Sequence, residues 1–327
     1  MKQALLNLLI IITFLNLGFG QDQKLPYKSK MADLGEIKMQ YMDFGGEGIP
    51  FIWVQDFHNY FEGPYSKFPE AAERIDFFTK LSKYAHVLAP LRRGYGKSTF
   101  TKWGYDVATQ GEDILKFMDE LGIEKAILFA RLPGNQDITW IAEHHPERIS
   151  GLVYWDGNPI LIVGCGNEDE ILLMESWSAF APDFEKEQEK RLVMSRAFWR
   201  PHFLSDKDSR IKIPAIRLLS SKYDDSSVIS RISERERLQA DIANDNPKFK
   251  EEVLALKTLV EDTLRYNRLR EHLLACDPSK KLDEGMERAF GSYLQTELKI
   301  FDYDTDDYAE YIAWELEKVI EFIEKLK

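Results

Sequence analysis

The sequence predicts an α/β fold in which a mostly parallel sheet carries helices on both faces, and three observations predict it. Short apolar runs of buried-strand type recur at 50–54, 85–90, 125–129, 149–157 and 213–219. Between several of them lie stretches with apolar residues at helical spacing, at 69–84, 105–121 and 136–145. Turn residues punctuate the boundaries, as in Gly45-Gly46-Glu47-Gly48 and Gly94-Tyr95-Gly96. Strands separated by helices of this length imply right-handed crossovers and therefore parallel neighbours.

Taken in order, residues 21–30 are polar and expected to be irregular, and 35–44 alternates as an opening strand. The apolar strand at 50–54 ends in Gln55-Asp56. A helix at 69–84, a strand at 85–90 and a turn at 93–98 follow, then the helix at 105–121. The strand at 125–129, a tight turn and a helix stopped by Pro146 come next. The strand at 149–157 leads into about 158–212, which lacks strand pattern and is rich in aromatics such as Trp177, Phe180, Phe198 and Trp199; an insertion is expected there. After the strand at 213–219, a second helical insertion is expected over about 226–290. Within it Val253, Leu256, Leu259, Val260, Leu264 and Leu269 predict one amphipathic helix at 249–274. A last strand at 295–301 and a last helix at 308–326 close the chain.

A chain of 327 residues with 44% hydrophobic residues can bury one large core, so one domain is expected over 21–327. The net charge of −12 argues against nucleic acid as a partner, because phosphate binding calls for a basic patch. Residues 1–20 read as a signal peptide: Lys2, an apolar run from Ala4 to Leu17, then small residues at Gly18 and Gly20 before Gln21. The expected location is secreted or periplasmic. That run is shorter than the roughly 20 apolar residues of a membrane span, and none is expected in the mature chain. Cys165 and Cys276 could pair or stay free, and neither has metal-ligand neighbours in the sequence.

The segment 125–148, KAILFARLPGNQDITWIAEHHPER, resembles the strand, turn and helix of the nucleophile elbow in the α/β-hydrolase family. Counting back from His145-Pro146-Glu147-Arg148, its five elbow positions are Ala130, Arg131, Leu132, Pro133 and Gly134, so Leu132 stands where the family has its serine. The segment Arg93-Gly94-Tyr95-Gly96-Lys97-Ser98 is similar to a turn of the same family and marks the fold, not catalysis. The resemblance implies an α/β-hydrolase fold whose lid is the insertion at about 158–212, and it also implies three losses. A leucine side chain cannot attack a carbonyl. The His-Gly pair that helps form the family's oxyanion hole reads Gln55-Asp56, where a carboxylate would repel a developing oxyanion; the plainer expectation, that Asp56 faces solvent or caps a turn, does not restore the hole. The histidine turn reads as an acidic run around Asp304. Only the acid position, Asp224 or Asp225, survives.

The expected function is therefore a degenerate hydrolase-fold protein that binds a small-molecule ligand or a protein partner. Gln55, Asp56, His58, Leu132 and Pro133 are the candidate pocket residues. Of the six histidines, only His58 lies where it could face that pocket. The rivals are an active esterase or peptidase-like hydrolase with non-standard residues, a lyase or oxygenase using an acid and His58, and a structural partner with no pocket. No cofactor is expected. Asp302, Asp304 and Asp306 have calcium-loop spacing, but Asp307 and Ala313 replace the glycine and glutamate that an EF-hand needs, so no metal is assigned.

Overall fold

Every predicted apolar run becomes a strand of one sheet in the computed structural model. It describes residues 25–56, 58–101, 103–131, 134–155, 211–220, 250–275, 296–301 and 308–327. The strands are β1 (Lys28–Asp33), β2 (Lys38–Gly45), β3 (Pro50–Val54), β4 (His86–Pro90), β5 (Ala126–Ala130), β6 (Ile149–Trp155), β7 (Ala215–Ser220) and β8 (Thr296–Phe301). They lie in the order β1-β2-β4-β3-β5-β6-β7-β8. β2 runs antiparallel to both its neighbours, and all remaining pairs are parallel. This order and these directions are those of the α/β-hydrolase fold.

Period-two alternation divides the core between the two faces of the sheet. Phe51, Trp53, Ile127, Phe129, Val153 and Trp155 belong to one buried cluster, while Ile52, Val54, Leu128, Ala130, Leu152 and Tyr154 belong to the other. Helices α1 (Pro69–Leu81) and α6 (Tyr308–Leu326) pack against each other, and their apolar residues join the first cluster. Helices α2 (Val107–Glu120) and α3 (Gly134–His144) pair on the second. Asp106 starts α2 by accepting the Thr109 amide at 2.9 Å.

Two expectations need correction. Residues 21–30 were expected to be irregular, yet β1 begins at Lys28. Only Ala32 of this edge strand is buried, so the apolar alternation that reveals a half-buried strand is missing. The single helix expected at 249–274 is two, α4 (Lys250–Glu261) and α5 (Thr263–Ala275). Asp262 stands between them and its carboxylate accepts the amides of Leu264 and Arg265 at 3.1 and 3.0 Å, which caps α5. The apolar spacing runs through the break, which is why periodicity did not show it. The proposed lid, the remainder of the second insertion and both cysteines lie outside the described residues. No helix among the described residues is long and apolar enough to cross a membrane.

The Arg93–Ser98 segment does what its glycines suggested. Gly94 and Gly96 both have positive φ, and a Cβ on Gly96 would lie 2.3 Å from the Gln40 Oε1. Ser98 Oγ donates to the Leu91 carbonyl and accepts the Gln40 amide, fastening the turn to β2.

Candidate functional site

Because β3, β5 and β6 are parallel, their C-terminal ends share one edge of the sheet, where α/β folds place their ligands. Gln55 and Asp56 leave β3 there, Arg131 leaves β5, and Trp155 ends β6. Gln55 is fully buried and its polar atoms are committed: Oε1 accepts the Arg92 amide at 2.7 Å, the carbonyl accepts Arg92 Nε at 2.6 Å, and Nε2 donates to the His58 carbonyl at 3.1 Å. Its task is to hold the turn.

Asp56 is buried as well, and three donors converge on its carboxylate. The His58 amide reaches Oδ1 at 2.6 Å, while His58 Nδ1 lies 3.2 Å and Tyr60 Oη 2.9 Å from Oδ2. Burial alone would raise its pKa; the neighbouring His58, and then Arg131, more than offset that and hold it below the usual carboxylate value. Burial and the Asp56 charge drive the Tyr60 phenol far above its ordinary value, so Tyr60 stays a donor. The His58 ring is 27% exposed over a carboxylate that is 1% exposed.

Behind this turn lies a second buried pair. Arg74 of α1 donates to Glu315 of α6 through both terminal nitrogens, at 2.9 and 3.0 Å, with neither side chain exposed. The guanidinium lies 3.7 Å from the centre of the Trp155 ring, and Arg131 lies 4.7 Å from it. The Trp155 indole donates to Tyr311 Oη at 3.0 Å. Helices from the two ends of the chain are thus fixed to the rim of the sheet by charge and stacking together.

Helix α3 begins at Gly134, the last of the five positions, packed hard on β3. A Cβ on Gly134 would stand 2.5 Å from the Val54 carbonyl oxygen, which explains glycine there. Asp137 is paired with Arg92 inside the core. Burial pushes its carboxyl up to about 7 despite Arg92, and the charges of Asp113 and Asp106 add to the rise. The folded state therefore binds this proton more tightly than the unfolded chain does. Its contribution to stability is full below about pH 4 and is lost as pH rises through about 7. Between pH 5 and 8 the thermal midpoint of the wild type is expected to fall further than that of Asp137→Asn. Equal falls in the two melting curves would overturn this.

Of the sequence-predicted site residues, the structure brings Gln55, Asp56 and His58 together at one turn. Leu132, Pro133, Asp224, Asp225, Asp302, Asp304 and Asp306 lie outside the described residues. His86 pairs with Asp43, and His144 stacks on Trp140, both away from this edge. Sequence reasoning missed Arg74, Glu315, Tyr60 and Arg131. Tyr60 sits four residues beyond Asp56 and could have been noticed, but Arg74 and Glu315 are 241 residues apart and each occupies an ordinary helical position. Among the described residues, no group of three or more His, Cys, Asp or Glu could hold a metal ion.

The sequence matches no family model and no curated protein. Solved structures similar to the chain include E-2-(acetamidomethylene)succinate hydrolase, 14% identical, with a TM-score of 0.47 over 91% of this chain and 99% of that one. An epoxide hydrolase, CorEH, is 17% identical with a TM-score of 0.44 over 60% of this chain and 82% of that one. A putative epoxide hydrolase from Pseudomonas aeruginosa is 16% identical with a TM-score of 0.45 over 60% and 80%. The class is an α/β-hydrolase fold, defined here by the sheet order and strand directions.

Proposed function

We propose that this is an exported α/β-hydrolase-fold protein that performs no serine-triad acyl transfer and binds a small ligand at the C-terminal edge of the sheet. The observation that carries the reading is the carboxylate of Asp56. It sits at the turn after β3, held ionised, and draws a backbone N–H of that turn onto itself. An oxyanion site needs donors aimed at developing negative charge, and this turn offers it a fixed negative charge. Leu132 at the serine position and the acidic run around Asp304 at the histidine position support the same reading from the sequence.

Support for a ligand comes from the first turn of α3. The side-chain amides of Asn135 and Gln136 are buried, and none of their polar atoms has a hydrogen-bond partner among the described residues. Each such atom costs about 1–3 kcal/mol unless something satisfies it. Export is proposed on the leader at residues 1–20.

The test is a fluorophosphonate probe, which labels an activated serine whatever the substrate. The chain from Gln21 onward is expected to keep its intact mass after incubation. Stoichiometric labelling that disappears on unfolding would overturn the reading and favour an active hydrolase with a displaced nucleophile.

A further inference from the structure

The turn that is wrong for an oxyanion has the parts of a base. In a neutral imidazole one ring nitrogen carries the proton and the other a lone pair, and the partner of the first decides which is which. Asp56 Oδ2 lies 3.2 Å from His58 Nδ1, so the carboxylate holds the proton there and assigns the lone pair to Nε2. Tyr60 Oη at 2.9 Å and the His58 amide at 2.6 Å fix the carboxylate from two other sides. A buried acid orienting a partly exposed imidazole is the orienter and base of a proton-transfer site.

We propose that Asp56 and His58 form a proton-transfer dyad acting on small carbonyl compounds with an acidic α C–H bond. This deepens the ligand-binding reading above and rests on it. Nε2 takes the α-hydrogen as a proton, and the C–H pair becomes the C=C bond of an enolate whose oxygen holds the negative charge. Return of the proton from Nε2 to either face of the same carbon completes exchange or inversion there, and no co-reactant is consumed. Arg131 supplies the countercharge, being near enough to act on both Asp56 and Tyr60. Among the described residues, the charged and titratable groups that α1 and α6 bring to this side are Arg74, Glu315 and Tyr308. Arg74 and Glu315 are bound to each other, and burial keeps the Tyr308 phenol protonated.

The probe is 5-nitrobenzisoxazole. Removal of its C3 proton turns the C–H pair into part of a C≡N bond while the N–O bond breaks, and the coloured phenolate reports the base directly. The chain from Gln21 onward is expected to accelerate this reaction. His58→Gln should lower the rate per folded molecule by roughly 10²-fold, a typical share for general base catalysis, at a temperature where its melting curve shows the variant folded. Asp56→Asn should reduce it too. Nitrogen-15 spectra of the His58 ring should show the proton on Nδ1. A rate equal in His58→Gln and wild type, no acceleration at all, or a proton resident on Nε2 would each overturn the dyad. Fluorophosphonate labelling would instead remove the reading beneath it, while the His58→Gln comparison still judges the dyad itself.

Discussion

Replacing Arg74 by alanine is expected to destabilise the fold by about 3–5 kcal/mol, the range for breaking a buried ion pair from one side. The substitution takes from the fully buried Glu315 the guanidinium that pairs with both its oxygens, and strips that guanidinium from the face of Trp155. It also opens a void between α1 and α6, because the Arg74 side chain is itself completely covered. Urea unfolding followed by tryptophan emission would measure the loss. The double replacement Arg74→Met with Glu315→Leu should recover much of it, since removing both charges leaves neither one stranded. An Arg74→Ala midpoint equal to that of wild type would show that the pair contributes nothing to holding the two helices on the sheet.

Gly134→Val is expected to cost about 3 kcal/mol, the upper end for overpacking a core. The first added atom would lie 2.5 Å from the Val54 carbonyl oxygen and 3.1 Å from the Ala130 Cβ. Backbone cannot swing aside as a flexible side chain can, so α3 must move off β3. That displacement would carry Asp137 away from Arg92, and with it the tie from Arg92 to Gln55. The variant should therefore lose probe turnover as well as melting temperature. A stable variant with full turnover would contradict the tight seating of α3.

Much of the fold was legible because its strands are buried on both faces, so that runs such as Ala126–Ala130 stand out as unbroken apolar stretches. β1 was not, since an edge strand with one buried residue carries no such signal. The break at Asp262 escaped because helix capping is a local polar event that apolar spacing does not record. At the candidate site, Asp56 and His58 were visible as a departure from a known turn, but their relation was not. Asp56 was expected to face solvent or cap a turn. It does close a turn by accepting the His58 amide, yet it is buried, because Tyr60, His58 and Arg131 compensate a charge that would otherwise be too costly to enclose. Partners drawn from opposite ends of a chain, as Arg74 and Glu315 are, leave no trace in spacing at all.

β1 has a further consequence for how this protein behaves in a concentrated solution. The rim of a sheet is an open row of amides and carbonyls that a second chain can extend. Here that rim carries Lys28, Lys30 and Asp33, with Lys30 held toward Asp43 at 2.6 Å. A neighbouring copy pairing along it would have to strip the water from these charged side chains. The strand least visible in the sequence thus carries, on the open rim of the sheet, charges that a pairing chain would have to desolvate.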